Sequence, residues 1–434
     1  MMNLRRISDK VLYGILVCCI FSFKFVLIGV GESGIRLDDL LILIAALLLF
    51  LRGDISRIER SRSFNLYIFF IAVSFLSAIW NTALGRVGGM IATFFIVRLI
   101  QYCTFYYLGY LVSERGIRIS KMLTWFLIIL CVAVPLQMLG LVPVPGAFEG
   151  ITSRAVGNTN GPYEMAAVAA FLMCYLGYGQ KSRIKGVLST GLVVLSASRI
   201  TFIGAALSLL QFFIVRTKTR AARVAIVSTL FVMGFVLVAV SSSLTIGSGE
   251  EDGSIVGRLS SAVSGFTLDI PIAVYRSAPT YAKSTDYIDG QFAAAIDDAT
   301  NVEADQSGLQ RIFRWMTLIK TTLASYDSIV LGLGPSFGSA AVDGYFVRLF
   351  IETGLIGLFA FGCFAWSLLV SRSKSSWAFR QYVFILLTTS CFIDIFVSYK
   401  PMLLFWMWHG MLQYKKRVAE NEENNGPAQI LIEV

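Results

Sequence analysis

The chain has 434 residues, of which 56% are hydrophobic and only 15% charged, and its mean hydropathy is +0.71. That balance excludes an ordinary soluble globular domain and reads as a polytopic membrane protein. The formal net charge of +10 is spread over many short segments and no nucleic-acid motif accompanies it, so the basic residues read as topology signals and no nucleic acid is expected as a partner.

A bilayer needs roughly 20 apolar residues per helix, which in chain order places spans near 11–31, 37–51, 64–80, 90–112, 122–142, 162–179, 186–198, 199–215, 222–244, 343–370, 380–398 and 401–414. The first run follows Arg5, Arg6 and Lys10. It is too long for a signal-peptide core and has no small-residue cleavage site, so a retained helix is expected. Asp38 and Asp39 open the second span, where they would either cap the helix or offer oxygen ligands to magnesium or manganese. Between 186 and 215, basic clusters on both flanks require an even number of crossings, so two short helices meeting at "SASR" are expected in place of one long helix. The segment 245–342 reads as one large outer loop ending in an amphipathic helix, 308–325, that lies on the outer leaflet. Its apolar stripe is Ile312, Met316, Ile319 and Leu323, with Trp315 at the border and Arg311 and Arg314 beside it. The span 343–370 opens with Asp343, Arg348 and Glu352, although an ionisable group near the bilayer centre costs about 3 kcal/mol.

The Lys and Arg clusters at the N-terminus, 52–62, 115–121, 181–185, 216–223, 372–380 and 415–417 all fall on one side of this arrangement, which the positive-inside rule makes cytoplasmic. The expected architecture is all-α and polytopic, with about 12 transmembrane helices. It divides into an N-terminal transmembrane bundle (1–244, about nine helices), the large outer loop (245–342), three C-terminal spans (343–414) and a cytoplasmic tail (415–434). Every short outer connection nonetheless keeps a basic residue, Arg36, Arg86, Arg154, Arg199 or Lys400, and Arg98 and Arg348 lie at similar depth. Singly, each reads as a structural ion pair or a snorkelling side chain. Together they suggest an outward-facing cavity for a polyanion, because a guanidinium offers a planar, permanent charge to phosphate oxygens.

Other chemistries find little support. His409 is the only histidine and falls in the last span, so a Ser/His/Asp triad, a Cys/His dyad and a His-ligated metal are all unsupported. The seven cysteines lie inside apolar runs and can staple no outer loop, and no nucleotide-binding loop follows a strand, so no cofactor is expected, and a metal only in the Asp38/Asp39 alternative. The outer carboxylates, Asp38, Asp39, Glu149, Glu164, Asp343 and Glu352, remain as acid/base candidates. Arg348 and Glu352, four apart, would alternatively neutralise one another, and Asp343 would alternatively cap its helix.

Three stretches resemble the O-antigen polymerase and ligase superfamily of membrane glycosyltransferases: "SRAVGNTNGPYEMAAVAAF" (153–171), "VVLSASRITFIGA" (193–205) and the segment 311–358 with its Arg and Trp helix, Gly-x-Gly turn and Glu-x-Gly-x-x-Gly. The resemblance implies a bacterial inner-membrane protein acting on its periplasmic face, with both termini cytoplasmic and the large loop periplasmic. The implied substrate is an undecaprenyl-diphosphate-linked oligosaccharide, and the implied partners are membrane lipid, a chain-length regulator and a flippase. Carried over by position, Arg154, Arg199, Arg311 or Arg314, with Arg348 at comparable depth, would hold the diphosphate, and Asp343 or Glu352 would act as general base. Ligases of the family place a histidine where this chain has Asp343, which favours a polymerase. A ligase and a lipid-linked oligosaccharide flippase are the alternatives.

Overall fold

The computed structural model describes residues 2–22, 26–30, 33–143, 155–159, 161–196, 198–216, 306–338, 342–370 and 376–425. These form helices α1 (Met2–Phe21), α2 (Leu37–Leu51), α3 (Asp54–Arg57), α4 (Arg62–Ala83), α5 (Gly89–Glu114), α6 (Ile119–Met138), α7 (Pro162–Leu172), α8 (Arg183–Leu195), α9 (Arg199–Arg216), α10 (Gln306–Leu323), α11 (Tyr326–Leu331), α12 (Tyr345–Val370), α13 (Trp377–Ser390) and α14 (Tyr399–Asn425). Helix α7 continues as a π-helical turn over Met173–Gly179. Among the described residues, α4, α5, α6 and α12 are long and apolar enough to cross a membrane. The span expected at 222–244, the loop from 245 to 305, Glu149 and the end of the tail lie outside the described residues.

One expected helix is divided. The run 11–31 stops being helical at Phe21, and Val26–Val30 (β1) pairs antiparallel with Ser33–Arg36 (β2). Val26, Ile28 and Val30 alternate at the period of a strand, and β-branched side chains favour extended backbone over a helical turn. The two-helix reading of 186–215 agrees with the structure: α8 ends at Leu195 and α9 begins at Arg199.

Helices α5 and α14 approach most closely at paired glycines. A Cβ on Gly109 would strike the Met407 carbonyl, and one on Gly410 the Tyr106 carbonyl, the small-residue contact that packs apolar helices without a hydrophobic driving force. Around this crossing Trp406 is fully buried, its ring 4.5 Å from that of Tyr67 and 5.7 Å from those of Phe64 and Phe364. His409 joins α14 to α4, its Nε2 3.0 Å from Ser61 Oγ and 2.8 Å from Ser63 Oγ. On the outside, Leu40, Leu43, Leu47 and Phe50 of α2 form an exposed apolar stripe, as expected of a face turned to lipid.

Charge separates the two ends of the bundle. At one end Arg52 pairs with Asp9 at 2.7 Å, Arg115 with Asp9 at 3.1 Å, Arg57 with Glu114 at 2.8 Å, and Arg417 donates to Tyr110 Oη at 3.0 Å. The hydrogen bonds to Glu114 raise the pKa of Arg57 above its ordinary value, locking its charge. Basic clusters far apart in sequence therefore gather at one end, while the α4–α5 turn, α11 and the entrance to α12 occupy the other.

Candidate functional site

The site grows from a break in α12. Gly354 has φ +64°, which interrupts the helix and leaves the Ile351 and Glu352 carbonyls without their usual partners. The segment after α11 supplies replacements: Leu333 N donates to Ile351 O at 2.7 Å and Gly334 N to Glu352 O at 3.2 Å, while Ser77 Oγ of α4 also donates to Glu352 O at 2.8 Å. This is close backbone packing. A Cβ on Gly332 would meet the Glu352 backbone, and one on Gly354 the Val330 carbonyl, so the Gly-x-Gly turn and the Glu-x-Gly motif are two halves of one joint.

Below the joint, Arg348 is buried between two carboxylates. Its Nε lies 3.0 Å from Glu352 Oε1 and its Nη1 2.7 Å from Asp394 Oδ2. Asp394, in the turn between α13 and α14, also accepts the backbone N–H groups of Val342 (3.1 Å), Asp343 (3.3 Å) and Gly344 (3.2 Å), capping the start of α12. Arg348 thus links the two carboxylates into one buried hydrogen-bonded cluster.

Asp343 lies just above this cluster and faces outward. Its backbone is left-handed, φ +56°, a conformation that aspartate tolerates better than most residues. Its Oδ2 accepts from Arg311 Nε at 2.9 Å, with the two side chains 34% and 44% exposed. Trp315 fixes α10 over the same point by donating from Nε1 to Val342 O at 2.8 Å. Of the stripe expected to face the leaflet, Ile312, Met316 and Ile319 are half-buried, and the face of α10 turned to the protein is a different one. Phe313, Thr317, Leu318, Thr321 and Thr322 are buried, whereas Leu323 is exposed. Thr317, Thr321 and Thr322 return their hydroxyls to the carbonyls of Phe313, Thr317 and Leu318 at 2.8–2.9 Å, so their methyl groups can pack inward without a polar penalty. Helix α10 thus packs on α12 through a small core of Phe313, Leu318, Leu333, Val342 and Ile351.

The sequence-predicted residues therefore separate. Arg311, Asp343, Arg348 and Glu352 meet around one turn of backbone, and Arg314 is half-buried on the same helix as Arg311. The backbone of Arg199 opens α9, where Thr389 of α13 donates to Thr201 at 3.3 Å, on the same end of the bundle. Arg154 lies outside the described residues. Arg86 is bound to Asp327 of α11 at 2.6 Å, and this guanidinium, with Ser325 and Trp80, holds the Asp327 carboxyl well below the usual carboxylate range. Lys400 is turned inward, its Nζ 2.7 Å from both Ser22 O and Asn158 O and its backbone N–H 3.0 Å from Glu164 Oε1. Asp39 accepts from Arg36 N at 3.0 Å, so it caps α2, and it lies 3.8 Å from Arg98. Among the described residues no three His, Cys, Asp or Glu side chains converge as metal ligands would.

Two participants were missed by the sequence reading. Asp394 is a lone acid inside the apolar run 380–398, and an ionisable residue within such a run is by default a candidate for function. Asn158, whose amide donates to Ile20 O and Phe21 O at 3.2 Å, carries no comparable signal. No protein-family model matches the chain, and no curated protein matches it significantly.

Proposed function

We propose that this chain is a polysaccharide polymerase of the bacterial inner membrane. It transfers a glycan from an undecaprenyl-diphosphate carrier to the nonreducing end of a second lipid-linked repeat unit, on the periplasmic face. The observation that carries the reading is the Arg311–Asp343 pair: an accessible guanidinium and carboxylate held over a rigid, buried Arg348–Asp394–Glu352 cluster, at the end of the bundle away from the basic clusters.

In this scheme the acceptor hydroxyl attacks the anomeric carbon, its proton passes to Asp343, and the bond from that carbon to the diphosphate oxygen breaks. The diphosphate of the bound donor draws Arg311 away from Asp343, so donor binding uncovers the base before attack. Arg314, Arg154 and Arg199 share the developing charge, as preorganised electrostatic stabilisation requires. Glu352 and Arg348, both buried and mutually satisfied, position the entrance of α12, and the base role falls to Asp343. A chain-length regulator and a flippase are the protein partners this activity would need.

The direct test incubates purified protein with defined undecaprenyl-diphosphate repeat units and looks for the dimeric repeat. Asp343→Asn is expected to lower turnover about 100-fold or more while donor binding persists. Wild-type turnover in that variant would remove Asp343 from the mechanism. Transfer only to a different lipid acceptor would indicate a ligase, and movement of the lipid across vesicles without any new glycosidic bond would indicate a flippase.

A further inference from the structure

Away from this site, an open, shallow groove of about 580 Å³ runs between α1 and the start of α6, at the end of the bundle where the basic clusters gather. Its walls are apolar, Val17 and Phe21 on α1 and Met122 and Trp125 on α6, and the Phe21 ring packs 5.3 Å from that of buried Phe126. Its mouth carries Arg118 and Lys121. Of the other cations at this end, Arg52 and Arg115 are held by Asp9 and Arg57 by Glu114, while Lys185 and Arg417 donate to the hydroxyls of Thr124 and Tyr110. Among the described residues, Arg118 and Lys121 have no carboxylate within ion-pair distance.

We infer that this groove is a binding site for one anionic phospholipid, its phosphate between Arg118 and Lys121 and an acyl chain lying between α1 and α6. The charge complementarity favours an anionic headgroup over a zwitterionic one, since each cation near a headgroup adds favourable free energy. The apolar length beneath the cations favours a lipid over a free phosphate. Trp125, 63% exposed, lies on the groove wall about two helical turns beyond Arg118, where an acyl chain in the groove would touch it. The inference needs only that this end of the bundle sits at headgroup height, and it is independent of glycosyl transfer.

The test uses the purified full chain and two probes, phosphatidylglycerol and phosphatidylcholine. Native mass spectrometry is expected to show at least about tenfold preferential retention of phosphatidylglycerol, lost in Arg118→Gln/Lys121→Gln. In vesicles of brominated-chain phosphatidylglycerol, the fluorescence quenched in wild type but absent from Trp125→Phe should exceed that in brominated phosphatidylcholine. This second measurement needs only wild type and Trp125→Phe and stands even if the double variant fails to fold. Equal retention of the two lipids, a folded double variant that keeps the preference, or quenching of Trp125 indifferent to headgroup would each overturn the site. Displacement of the lipid by millimolar inorganic phosphate alone would also overturn it.

Discussion

Asp394 accepts three backbone N–H groups and one guanidinium, so a substitution there disturbs four partners at once. Asp394→Asn keeps the shape but removes the charge facing buried Arg348, and is expected to cost about 3 kcal/mol or more. Asp343→Asn breaks only an exposed pair and should cost about 1 kcal/mol or less. Thermal unfolding of the two variants in the same detergent gives the comparison, and equal losses would mean that Asp394 does not anchor the site. Asp327 supplies a test by pH. Its carboxyl is depressed in the folded state, chiefly by Arg86, so its contribution is present above the unfolded pKa of about 4 and is lost as pH falls through the lower folded value. Because the pair is partly exposed, the effect is about 1 kcal/mol at most. The stability gap between wild type and Arg86→Gln should therefore be constant from pH 5 to 7 and close only in stronger acid, as pH falls through the depressed folded value. A gap that widened on acidification would contradict the pairing.

At the scale of elements, the joint between α12 and the turn after α11 depends on backbones that touch. Gly354→Ala puts a side chain at φ +64° and into the Val330 carbonyl, so both strain and collision oppose it. The expected loss is about 2 kcal/mol or more, with faster amide exchange at Leu333 and Gly334, whose N–H groups close the joint. Unchanged exchange at those two amides would show that the contact is dispensable. Helix α10 teaches a related point about faces. Its threonines satisfy their hydroxyls within the helix and so pack as apolar residues, which lets a face that a hydrophobic count passes over turn to the protein.

For the whole molecule, the gathering of basic clusters at one end sets an orientation that can be measured. With that end cytoplasmic, Tyr326→Cys, at a position 90% exposed on α11, should react with an impermeant maleimide from outside intact spheroplasts. Lys416→Cys on α14 should react only after lysis. Reversed reactivity would invert the topology and remove the proposed site from the periplasmic face. The sequence alone determined what depends on composition and local spacing. Hydropathy marks a helical chain with spans able to cross a membrane, charge parity divides 186–215 into two helices, and a separation of four residues brings Arg348 to Glu352. Tertiary structure alone decided which partners distant in sequence close the remaining polar groups. Asp394 reaches Arg348 from 46 residues away, Lys400 turns inward to Ser22 and Asn158, and Val26–Val30 leaves its apolar run to pair as a strand. The physical reason is that a buried charge or carbonyl must find its partner wherever the fold brings one, and neither hydropathy nor helical period carries that address.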